Sequence, residues 1–86
     1  MKITKEAINR LENNVVPYNH HAKRAASGNA SLEEKAYMDS LYSELVEMFG
    51  ILTDLGFKVE ETYKLIERYE TIITQIKIDG EVIWEA

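Results

Sequence analysis

The sequence contains no cysteine. That removes disulfides, thiolate metal sites and cysteine nucleophiles together. It holds a single proline and four glycines in 86 residues, so little interrupts long regular elements. No apolar run approaches the roughly 20 residues of a membrane-spanning helix. Met1–Leu11 carries Lys2, Lys5, Glu6 and Arg10, so no secretory signal is expected and the expected location is cytoplasmic. The glycines, Gly28, Gly50, Gly56 and Gly80, are scattered and form no phosphate-cradling loop. Ser27, Ser31, Ser40 and Ser43 lie in no nucleophile-elbow pattern. His20 and His21 are adjacent, which on a helix points them about 100° apart. No carboxylate or further histidine sits three or four residues away to complete a metal site. The Glu-x-x-His pairs of di-iron bundles are absent. The reading is therefore of a protein that is not an enzyme, with no metal and no cofactor.

Positive charge is also scarce outside the first third. Residues 1–30 carry Lys2, Lys5, Arg10, Lys23 and Arg24 against Glu6 and Glu12, and the rest of the chain turns the net charge to −5. An acidic surface disfavours direct binding of nucleic acid, which needs cations. The simple account of the asymmetry is a basic helix packed beside acidic elements.

What is present is a strong helical pattern. Met38, Leu41, Leu45, Met48, Leu52 and Leu55 recur at alternating spacings of three and four, placing them in one helical seam. Tyr42 and Phe49 widen the seam on one side, Tyr37 and Ile51 on the other. A stripe this broad predicts a central helix over Ser31–Phe57 with partners on both flanks. Ser31 and Glu34 form a capping box. Gly56 followed by Phe57 fits a Schellman ending, with Phe57 folding back on Leu52. A second helix is predicted over residues 4–26, with Ile8, Leu11, Val15, Tyr18, Ala22 and Ala25 in its seam. Pro17 predicts a kink or break near Asn13–Val16. Gly28-Asn29 forms a short reversal, so the two helices are antiparallel neighbours.

The last third is mixed. Val59, Tyr63, Ile66, Tyr69 and Ile73 fit helical spacing, which predicts a third, shorter helix over 59–70. The alternative is a strand over 57–64, because Tyr, Thr and Ile favour strands. Residues 74–78 alternate, Asp79-Gly80 is a hairpin turn, and residues 81–85 return. A two-residue turn pairs Ile78 with Glu81, Ile76 with Ile83 and Gln75 with Trp84. The expected fold is mainly α: one domain over residues 1–86, an antiparallel helical hairpin with a third short helix and a C-terminal β-hairpin. Roughly 60–65% surface burial is typical at this size, and small domains without staples often self-associate.

Tyr42, Phe49, Tyr63, Tyr69 and Trp84 are the interface candidates, because Tyr and Trp dominate binding hot spots. Glu60 and Glu61 join them as acidic rim residues. The expected function is non-catalytic protein–protein interaction through a helix face, by a homo-oligomer. Two stretches, YSELVEMFGILTDLGFKVEE (Tyr42–Glu61) and IKIDGEVIW (Ile76–Trp84), resemble small phage-encoded proteins of unknown role. That resemblance implies an alternative: a small acidic inhibitor that blocks a basic, nucleic-acid-binding surface of a host or defence protein.

Overall fold

Two helices are built from well-formed ends. A computed structural model describes residues 2–86. Helix α1 spans Lys5–Ala26, and Thr4 Oγ1 accepts the Ala7 N–H at 3.1 Å as its N-cap. The helix runs as one element through Pro17, so of the expected kink or break, the break does not occur. It ends in a Schellman arrangement, with Gly28 N–H on the Ala25 carbonyl and Asn29 N–H on the Arg24 carbonyl. Helix α2 spans Leu32–Asp54 and closes in the same way, with Gly56 N–H on Thr53 and Phe57 N–H on Leu52, both at 3.0 Å. Phe57 and Leu52 are both buried in the core. At the start of α2 only half of the predicted capping box forms. Ser31 Oγ accepts the Glu34 N–H, but the Glu34 carboxylate turns to Arg24 and His21 on α1. A charge-assisted fork to guanidinium outcompetes a neutral backbone donor.

Residues 59–70 are not a helix. They form strand β1 (Val59–Leu65) and a single 3-10 turn (Glu67–Tyr69). Strands β2 (Thr71–Ile78) and β3 (Glu81–Glu85) follow, giving an antiparallel sheet in the order β1-β2-β3. The predicted mainly α fold with a lone hairpin is thus corrected to two helices on a three-stranded sheet. The strand propensity of Val, Thr and Tyr decided the segment over its apparent helical spacing. That spacing had no single origin, because Val59 and Tyr63 lie on β1, Ile66 and Tyr69 in the turn, and Ile73 on β2.

Two bulges tune the sheet. Thr62 pairs with Gln75 and Tyr63 with Ile73, which leaves Thr74 as the extra residue on β2. Ile73 and Ile76, three apart, can then both be fully buried. Ile78 pairs with Glu81 as expected, but Ile76 meets Trp84 rather than Ile83, and Gln75 meets Glu85. The extra residue is Ile83 on β3. Both Ile83 and Trp84 pack against the core as a result.

The core joins Leu11, Val15, Tyr18 and Ala22 of α1 to Met38, Leu41, Leu45, Phe49 and Leu52 of α2, and to Ile72, Ile73, Ile76 and Ile78 of β2. Helix α1, not α2, is the central element: it packs on α2, β2, β3 and the 3-10 turn. Helix α2 is covered along one side, and Tyr37, Val46, Ile51 and Leu55 stay exposed. Asn19 completes the sheet from α1. Its side-chain amide donates to the Ile73 carbonyl and its oxygen accepts the Ile73 N–H, both at 2.8 Å.

Candidate protein-interaction surface

Strand β1 lies at an edge of the sheet, and six of its seven residues are exposed. Its backbone groups alternate between β2 and the outside. Lys58 C=O accepts the Asp79 N–H, Thr62 C=O accepts the Thr74 hydroxyl, and Ile66 N–H donates to the Glu70 carbonyl. The even-numbered residues therefore face β2. Val59, Glu61, Tyr63 and Leu65 direct their N–H and C=O groups outward, along an unpaired seven-residue edge. Such an edge is a template for a further strand. Because side chains alternate across a strand, Val59, Glu61, Tyr63 and Leu65 lean to the helix side, beside Ile78, Ile76 and Ile73 of β2. Glu60, Thr62 and Lys64 lie on the other, open side, which is covered only near Lys64, where its partner Ile72 is buried and the end of α1 is close.

An aromatic flank borders this edge. The Tyr63 hydroxyl lies 3.4 Å from that of Tyr42 on α2. The Tyr42 ring lies 5.6 Å from that of Tyr18, whose hydroxyl donates to the Thr71 carbonyl. Burial pushes the Tyr63 phenol well above its usual range, aided by the Tyr42 hydroxyl. Burial likewise raises that of Tyr18. One helical turn beyond Tyr42, Val46 is exposed on α2, and Leu65 closes the strand at 64% exposure. On the open side Glu60 is paired with Lys58 at 3.0 Å.

Four of the seven predicted residues, Tyr42, Tyr63, Glu60 and Glu61, thus come together at one sheet edge and the adjoining helix. The other three do not join them. Phe49 is 7% exposed and belongs to the core. Trp84 packs against the core from β3, the opposite edge. Tyr69 is 92% exposed at the tip of the 3-10 turn, in the left-handed region with φ 60°. Sequence reasoning missed Val46 and Leu65. Val46 stands four residues after Tyr42, a spacing that could have flagged it. The alternation along the edge is broken at Glu61, which hid it.

Elsewhere, Ala7, Arg10, Leu11, Met48, Ile51 and Leu52 line a groove of about 160 Å³ between α1 and α2. That is below the usual size of a ligand pocket, and Arg10 is its one polar side chain. Arg24 grips Glu34 with two bonds of 2.8 Å, and His21 Nδ1 lies 3.1 Å from the same carboxylate. The Arg24 bonds, and then the His21 contact, lower the Glu34 carboxyl to about 2. Among the described residues no three His, Cys, Asp or Glu side chains gather as metal ligands. None of the described helices is long and apolar enough to cross a membrane. No protein-family model, curated protein or solved structure matches the chain.

Proposed function

We propose that the protein is a non-catalytic interaction module that recognises its partner along the β1 edge. The unpaired backbone of Val59, Glu61, Tyr63 and Leu65 carries this reading. Main-chain bonds supply affinity in strand addition, and the side chains flanking the edge supply specificity. Here those flanks are Tyr42, Val46 and Tyr63 on the helix side, and Glu60 and Lys64 on the open side. This moves the binding surface from a helix face to a strand edge with a helix beside it.

The acidic-inhibitor alternative needs a continuous carboxylate face. Glu34 is held by Arg24, Glu44 accepts a bond from Asn14 at 2.7 Å, and Glu60 is paired with Lys58. The edge is therefore the better-supported surface.

Glu61→Pro tests it. The Glu61 N–H points away from β2, so proline removes no internal bond there but blocks an incoming strand. Loss of association, by light scattering or by pull-down of a partner, with an unchanged far-ultraviolet circular dichroism spectrum is the expected result. Undiminished association by the folded variant would exclude the edge.

A further inference from the structure

We propose that the strand received by the β1 edge is β1 of a second copy, antiparallel about a twofold axis through Thr62. This rests on the edge-recognition reading above and adds the partner and the register.

Outward backbone groups lie at the odd-numbered residues, so hydrogen-bonded pairs across the twofold must join odd to odd. An axis at Thr62, the midpoint of Val59–Leu65, satisfies this and overlaps the whole strand. None of the cross-strand pairs it creates sets like charges against each other. Val59 meets Leu65 as an apolar pair, which covers the strand's most exposed apolar side chain. Glu60 meets Lys64 as an ion pair on the open face. Glu61 meets Tyr63, and Thr62 meets Thr62. Opposite charges and paired threonines stabilise facing strands, whereas like charges destabilise them. Shifting the axis to Glu61 sets Glu61 against itself and Lys58 against Lys64. An axis at Glu60 sets Glu60 against itself. An axis at Tyr63 leaves Glu61 against Leu65 and Glu60 without a cation. The sequence VEETYKL is thus self-complementary in one register. The product is a continuous six-stranded sheet, in which an edge that invites indiscriminate pairing is closed by an identical chain.

Two sets of variants read the register. The chain has no cysteine, so Thr62→Cys introduces a single thiol facing its own copy. It lies in a non-hydrogen-bonded pair, where Cα atoms are about 4.5 Å apart and within disulfide reach. Air oxidation should give a disulfide-linked dimer on a non-reducing gel. Glu60→Cys faces Lys64 instead and should remain monomeric on the same gel. Separately, Glu60→Lys and Lys64→Glu each place like charges opposite one another twice per dimer. Each should weaken dimerisation roughly five- to thirtyfold, and the double variant should restore it.

A monomer at all concentrations overturns the proposal, and so does a double variant as weak as its parents or equal oxidation of both thiol variants. Amide exchange then separates the two readings. A monomer whose Val59, Glu61, Tyr63 and Leu65 amides become protected by another protein leaves edge recognition standing and refutes self-pairing. A dimer in which those amides exchange freely refutes both.

Discussion

Asn19 does more for this fold than its residue type, a weak helix former, suggests. It is buried, and its side-chain amide satisfies both backbone groups of Ile73 from across the molecule. On the β3 side of β2 the Ala86 N–H bonds the Thr74 carbonyl, and Asn19 takes the neighbouring backbone groups. Asn19 therefore takes the place of the missing rung. Asn19→Ala would leave a buried donor and a buried acceptor unsatisfied, at about 1–3 kcal/mol each. A loss of roughly 2–5 kcal/mol is expected in urea unfolding. Asn19→Asp should not rescue it, since a carboxylate offers the Ile73 carbonyl no donor. A loss under 0.5 kcal/mol for Asn19→Ala would show that Ile73 finds other partners. Nothing in a single sequence marks such a residue, because its partner lies 54 positions away.

At the scale of elements, legibility followed the locality of the signal. The ends of both helices were readable because caps and Schellman motifs are set by residues within a few positions. Thr4, Ser31, Gly56 and Phe57 all act as their types suggested. The seam of α2 was readable too, but its breadth misled. Tyr37 and Ile51, which widen the stripe, and Leu55 at its end all stay half exposed or more. Strand β1 was obscured because an edge strand buries little and its apolar alternation is broken at Glu61. For the same reason the sequence pointed to the candidate surface by residue type, in Tyr42 and Tyr63, and not by geometry. The bulge at Ile83 that moved Trp84 opposite Ile76 leaves no sequence signal. Gly50 yields the cleanest prediction at this scale. It is exposed on α2, and a Cβ there would meet nothing within 4 Å. Gly50→Ala should stabilise the protein by about 1 kcal/mol. For a domain of this size that raises the melting temperature by roughly 4–8 °C. A decrease would mean that the position serves a bend or a contact outside this chain.

The whole molecule has two pH boundaries, one set by a carboxylate and one by phenols. On the acid side stands Glu34, lowered from 4.5 to about 2 by Arg24 and His21. Its folded form holds the proton less tightly than the unfolded form does. The stability it contributes is complete above about pH 4.5 and fades as the pH falls towards 2. Glu34→Gln should flatten the acid limb of a stability-versus-pH curve, and an unchanged limb would reject the linkage. On the alkaline side, Tyr18 and Tyr63 are raised above 10.0 and hold their protons more tightly when folded. Their contribution is complete below pH 10 and fades above it. Ultraviolet titration of the folded protein should therefore show two of its five tyrosines ionising late.

The contact between Gly28 and Arg68 bears on how the chain tolerates being lengthened. A Cβ at Gly28 would stand 3.0 Å from the Arg68 guanidinium, so the helix reversal and the turn after β1 lie against each other. At the other end, the Asp79 carboxylate accepts the Lys58 N–H, tying the hairpin turn to the connection between α2 and β1. Loop tips are ordinarily where extra residues are absorbed at little cost. In this chain the connections are fastened to one another in pairs. Residues inserted beside Gly28 would disturb Arg68, and residues inserted at Asp79 would disturb Lys58.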